Sequence, residues 1–484
     1  MPMSALLPRR DEVSGRIPDR AETRLITRAA LCASLAGLAV VVAGPVVVGP
    51  MVGAALFAAA AYRPVFATYA YLLTLPFLAG IERGALVPGA RPNEALFAVL
   101  VAGACLGGWL RLLRGDPIPL RLRPLDVPLA GFVVLSTVWP IASMMLRGAE
   151  PHGSDLMALL PVCKLVALFL LVRLTVHTEQ QRLRCIRLVV WPTAGLSIVA
   201  ILQTLGVEPV LTLLSGFWHA STSEASDRGT ATLGSSIATG DYITVGLVLL
   251  LYCGIRGILG KWERIGLGVL LGAGVLASGQ FSTWISALVA GVLILRRYPQ
   301  ARQQVARFLP IVGIAALVGA PAFLGRMADF TQGYTVPRSW LGRWDNLTTF
   351  YLPQLADGHF VFGISPDSVL TAPETWRDHI YLESGYLYFL WAGGIPLLIG
   401  FVWLSVAVLR GVSRLAASPG SAGACAATLE VAWWMVLVLS LIDIHLAVRG
   451  FGDLLFVLLA IMSGRLGDDE NSTQDPALDR SRTT

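Results

Sequence analysis

The chain has 484 residues, of which 55% are hydrophobic and only 14% charged, and its formal net charge is +6. Soluble proteins carry about 25% charged residues, so these figures exclude an ordinary soluble enzyme, and the apolar content excludes disorder over most of the chain. Unbroken apolar runs such as Ile265 to Ser278 exclude a β-barrel, whose strands alternate.

The predicted fold is all-α: a polytopic integral membrane protein with about 12–14 transmembrane helices and a large extracytoplasmic loop. Residues 1–28 form an Arg-rich tail without a cleavable signal pattern. Spans are predicted at 29–46, 47–62, 65–81, 94–112, 127–146, 156–176, 187–207, 241–258, 265–279, 281–296, 308–324, 384–409, 426–445 and 450–464. Residues 29–324 thus hold most of the helices, 325–383 form the large loop, and 384–464 hold the last helices. The tail at 465–484 is polar and reads as disordered. With the N-terminus in the cytoplasm, 27 of the 37 Lys and Arg residues fall on the cytoplasmic side, which sets the orientation in a plasma (inner) membrane. Two extracytoplasmic segments are long, 208–240 and 325–383, and long loops in compact folds are commonly functional.

Taken in chain order, the first candidate is Lys164. It lies about nine residues into an apolar span, where a charge is costly and therefore suggests function. It either meets an anionic headgroup in a cavity or snorkels outward. Arg228 is the sole cation of the first long loop, and small residues from Gly229 to Ser236 follow it. Such a run lets backbone approach a phosphate; the alternative is a flexible re-entrant loop. Asp241 reads as a helix cap. The second loop contains Arg326, Arg338, Arg343 and Arg377, and a guanidinium fork suits phosphate. The competing reading pairs them with Asp329, Asp345, Asp357 and Asp378. His379 and Glu383 stand four apart, as on one helix face, where a carboxylate can orient an imidazole base. The alternative is an interfacial His at a helix start. Gly393, Gly394 and Pro396 imply a kinked or closely packed span. Asp443, His445 and Arg449 read as an internal salt-bridge cluster. The six Cys form no CxxC pair, and no Walker A sequence, DxD sequence or metal-ligand cluster is present. Expectations are therefore no metal, no cofactor and no nucleic acid as partner, with the membrane as surroundings.

Three pieces of sequence together resemble the O-antigen ligase and polymerase family of bacterial membrane glycosyltransferases. They are Arg228 with its small-residue run, "PRSWLGRW" from Pro337 to Trp344 followed by Phe362–Gly363, and "DHIYLESGYLYFLWAGGIPLL" from Asp378. The last is similar to the family's His-Asn-x-Tyr-Leu…Glu-x-Gly signature, with Ile380 in place of the Asn. The hairpin near 281–287 reads "GQFSTWIS" and has no Arg, unlike many family members. The resemblance implies a GT-C-like architecture, a glycan donor on polyprenyl diphosphate and a glycan or lipid acceptor. It implies transfer on the extracytoplasmic face, in cell-surface polysaccharide biosynthesis. Arg228, Arg343, Arg338 and Lys164 would bind the diphosphate, and His379, Glu383 and Arg343 would act in catalysis. The rival reading is a transporter or flippase of lipid-linked sugars or other anions.

Overall fold

The computed structural model describes residues 45–87, 89–116, 122–218, 228–297, 313, 338–371 and 379–463; for 45–48, 338–340 and 379 it gives the backbone only. The spans expected at 29–46 and 308–324 therefore lie outside the described residues, apart from isolated positions.

The protein is an all-α polytopic membrane protein. The helices are α1 (Pro45–Tyr62), α2 (Pro64–Leu78), α3 (Pro92–Leu113), α4 (Asp126–Leu146), α5 (Gly153–Thr175), α6 (Glu179–Thr204) and the short α7 (Glu208–Phe217). They continue as α8 (Ser236–Ile255), α9 (Lys261–Ala277), α10 (Phe281–Arg297), α11 (Arg338–Asn346), α12 (Gly385–Leu415), α13 (Gly420–Leu439) and α14 (Phe451–Ser463). Among the described residues seven of these, α3 to α6, α8, α12 and α13, are long and apolar enough to cross a membrane. In lipid every backbone polar group needs an internal partner, and helices supply it.

Burial orders the bundle. About 83% of the apolar window of α8 and 78% of that of α13 is buried, against 28% for α3, so α8 and α13 form the centre and α3 lies at the rim. Every residue of α14 is buried. The centre is built from small residues, as in "GSAGACAAT" at the start of α13. Without a hydrophobic force between helices in lipid, close backbone approach supplies the attraction. A Cβ on Gly246 of α8 would lie 2.7 Å from Thr193 of α6, and one on Gly274 of α9 would lie 2.5 Å from Ser197.

The two ends of the bundle differ. At one end the connections are tight: Glu179 accepts from Ser421 N at 2.8 Å, Arg256 Nη2 donates to Ala416 O at 2.6 Å, and Arg173 pairs with Asp126. The other end, called the loop end below, carries both long segments. Residues 228–235 plug the space between α2, α6 and α9. Gly229 N donates to Ala277 O at 2.8 Å, Thr232 Oγ1 to Pro76 O at 2.8 Å, and Ala231 N to Gln203 Oε1 at 2.8 Å. The expected first loop, 208–240, is therefore shorter than its sequence range: α7 occupies its start, and α8 begins at Ser236 with Ser235 as its cap.

The predicted kink in the twelfth span is present. Gly394 interrupts α12 at φ +67°. A Cβ there would lie 2.3 Å from Val361 O. Residues 360–364 dock into the break: Ile364 N donates to Trp391 O at 2.5 Å and Ile395 N to Phe360 O at 3.1 Å. Trp139 Nε1 donates to Gly393 O at 2.8 Å and Arg147 Nη2 to Ile364 O at 2.7 Å, so α4 holds the same junction. Gly394→Ala should lower stability by at least about 1–3 kcal/mol. Thermal unfolding in detergent checks this, and an unchanged midpoint would show that the break is dispensable.

Candidate functional site

The large loop folds onto the loop end by burying aromatic residues. α11 runs on into two π-helical turns, Leu347–Tyr351 and Leu355–His359. Tyr351 is fully buried, lies edge-on to Trp391 with ring centres 5.0 Å apart, and donates to both Ser368 O and Ile380 O at 2.8 Å. Burial first, then the Glu383 and Asp367 carboxylates, raises its phenol above the usual range, so it remains a donor. These bonds hold a two-stranded ladder of β1 (Leu370–Thr371) and β2 (His379–Ile380), in which Thr371 faces His379. The expected placement of His379 and Glu383 on one helix face is thus corrected: His379 lies on a strand, and α12 begins only at Gly385. The side chains of His379 and Arg338 lie outside the described residues.

Glu383 is brought to a second element by the start of α12. Gly385 N donates to Ser440 O at 2.8 Å, and a Cβ on Gly385 would lie 2.9 Å from Ser440. The segment after α13 therefore runs directly beside Glu383. Arg343, on α11, closes the arrangement. Its Nε lies 3.1 Å from Glu383 Oε2, its Nη2 3.3 Å from Asp443 Oδ2, and its Nη1 donates to Ile442 O at 3.0 Å. The three side chains remain 17%, 21% and 17% exposed, so the knot is open to a ligand. Arg343 and Glu383 line a cavity of about 210 Å³, together with Trp344, Tyr351, Tyr381 and Leu441.

Arg343 is paired with neither Asp345 nor Asp357, the described members of the carboxylates that the competing sequence reading named. Among the described residues one cation, Arg343, lies between the two carboxylates Glu383 and Asp443.

Asp241 was expected as a helix cap, and His445 in an internal salt-bridge cluster with Asp443 and Arg449. Both expectations are corrected. Asp241 is the sixth residue of α8, and its Oδ2 lies 2.5 Å from His445 Nδ1, with both side chains fully buried. Ser286 Oγ on α10 also donates to Asp241, at 3.1 Å. Asp443 pairs with Arg343 instead of Arg449. Isolated charges in this position are costly, so each sequence carboxylate finds the nearest buried partner.

Lys164 neither snorkels nor lies bare. Its Nζ is 2.9 Å from Asp453 Oδ1 on α14, and Tyr71 Oη on α2 donates to the same carboxylate at 2.7 Å. Lys164 and Asp453 line a second cavity, beside Arg91, Asn93 and Arg449. Arg228 packs by Gly229 against α9 and lines neither cavity. The described members of the expected diphosphate set are therefore dispersed, with Arg343 at the first cavity, Lys164 at the second and Arg228 at neither. Sequence reading did not single out Asp453, Tyr71, Arg91 or Asn93. Asp453 follows a span boundary by three residues, and an acid there was the one available signal.

No protein-family model matches the chain, and no curated protein matches it in sequence.

Removing one partner of a fully buried charged pair costs about 3–5 kcal/mol. Asp241→Asn should therefore lower the unfolding midpoint strongly, and Ser286→Ala only slightly. Equal midpoints for wild type and Asp241→Asn in a detergent melt would deny the pair a role in stability.

Proposed function

We propose that this chain is a membrane glycosyltransferase of the O-antigen ligase and polymerase kind. It moves a glycan from a polyprenyl-diphosphate carrier to a hydroxyl acceptor at the loop end, on the extracytoplasmic face. The observation that carries the reading is the cavity at Arg343. It joins aromatic side chains, on which sugar rings pack, to a carboxylate, Glu383, whose orientation an ion pair fixes. Trp344 and Tyr381 are 65% and 53% exposed, as a wall awaiting a ligand requires.

In the reaction the acceptor oxygen bonds to the anomeric carbon, the carbon–oxygen bond to the diphosphate breaks, and the acceptor loses its proton. Glu383 accepts the hydrogen bond of the incoming hydroxyl and aims its oxygen. His379 stands four residues upstream, on β2, and the family resemblance makes it the proton acceptor. Arg343 bridges Glu383, Asp443 and the Ile442 carbonyl, so its role is positioning through its three-way fork. The diphosphate is already a good leaving group, so the donor bond drives transfer.

The test uses purified protein in liposomes with a polyprenyl-diphosphate oligosaccharide and a glycolipid acceptor, following release of polyprenyl diphosphate. Wild type should release it. Glu383→Gln and Arg343→Lys, both folded, should release it about 10²-fold more slowly. Full activity in both variants overturns the site. Movement of the donor between leaflets with no release by wild type overturns the transferase and makes the protein a transporter.

A further inference from the structure

The second cavity has the opposite electrostatic character to the first. Its walls come from the end of α2, the start of α3, the middle of α5 and the chain entering α14. Three cations line it, Arg91, Lys164 and Arg449, against two carboxylates, Glu94 and Asp453. Both carboxylates are already engaged. Arg83 Nη2 donates to the two oxygens of Glu94 at 3.2 and 3.1 Å, and Asp453 is held by Lys164 and Tyr71. Neither Arg91 nor Arg449 has a carboxylate within ion-pair distance among the described residues.

Two buried polar atoms in this wall also have no hydrogen-bond partner among the described residues, Arg91 Nε and Asn93 Oδ1, and Asn93 is only 4% exposed. Buried polar groups are almost always hydrogen-bonded, so an orphaned donor beside an orphaned acceptor marks a place for a ligand with oxygens of both kinds. Burial, and next the charge of Arg449, depress the Arg91 guanidinium to about 10. Two like charges held together in this way call for an anion between them.

We propose that the Arg91–Lys164–Arg449 cavity binds a phosphate-type oxyanion. The guanidiniums supply planar forks for its oxygens, and Asn93 Oδ1 accepts from a protonated oxygen or a water. The cavity measures about 50 Å³, room for a phosphoryl group and too little for a sugar. The wall formed by Leu446 to Gly450 belongs to the same stretch of chain as Leu441 and Ile442 in the first cavity. Naming the anion as the donor lipid's phosphate rests on the glycosyltransferase reading; the anion site itself does not. The same chemistry fits free phosphate or pyrophosphate.

The experiment measures binding of inorganic pyrophosphate to the detergent-purified full chain by calorimetry, without any transfer assay. Wild type and Arg343→Lys should bind alike. Arg449→Gln and Arg91→Gln should each bind at least about tenfold more weakly, the loss of one charge-assisted contact. Asp453→Asn, which frees Lys164 and adds one net positive charge, should bind more tightly. This gain keeps the test decisive even if an Arg variant folds poorly. Wild-type affinity in both Arg variants, or no tightening in Asp453→Asn, overturns the site. In nanodiscs, displacement of pyrophosphate by polyprenyl diphosphate assigns the cavity to a lipid headgroup, and failure to displace assigns it to a free anion; either result keeps the site. Pyrophosphate binding with no glycan release retains the anion site and discards the transferase.

Discussion

The pair Asp241–His445 is the constraint on which the loop end depends. Both groups are fully enclosed in an apolar bundle, where neither is stable alone. Satisfying them ties the middle of the segment 440–450 to α8, the most buried of the long helices. From that anchor Asp443 reaches back to Arg343, and Arg449 reaches forward into the second cavity. Ser440 holds the start of α12 and hence Glu383. One buried pair thus positions the walls of two pockets that share no charged residue.

The division of charge between those pockets follows from where carboxylates lie. Arg343 meets Glu383 and Asp443, and its cavity sets one carboxylate, Glu383, in a largely apolar and aromatic wall. Arg91 and Arg449 line one cavity without an ion-paired carboxylate among the described residues, while Glu94 pairs with Arg83 and Asp453 with Lys164 and Tyr71. A substrate that carries hydroxyls at one end and phosphate at the other matches this polarity. A ligand of one character alone would leave one pocket without purpose.

Much of the fold was legible in the sequence because lipid imposes long apolar runs. The hairpin predicted at 265–279 and 281–296 is α9 and α10, at Lys261–Ala277 and Phe281–Arg297. The break at Gly393, Gly394 and Pro396 was also readable, since few other reasons place that trio in a span. Partnerships were not readable. His379 and Glu383 have helical spacing, but two residues of ladder with Thr371 outweigh it. Lys164 could be flagged by cost alone, whereas its partner Asp453 lies 289 residues away. Arg91 looked like an ordinary loop cation, and only the approach of Arg449 makes it a wall of a cavity.

The segment between α13 and α14 is fastened at Ser440, Asp443 and His445, each to a different part of the bundle, and it presents Arg449 to the second cavity. Its length is consequently fixed to the residue. One inserted amino acid would turn His445 or Arg449 away from its place, and nothing nearby is free to absorb the shift. The turn at 147–152 has fewer such ties and can lengthen at little cost. Among natural variants of this chain, insertions should accumulate in that turn and be excluded from the eleven residues 440–450.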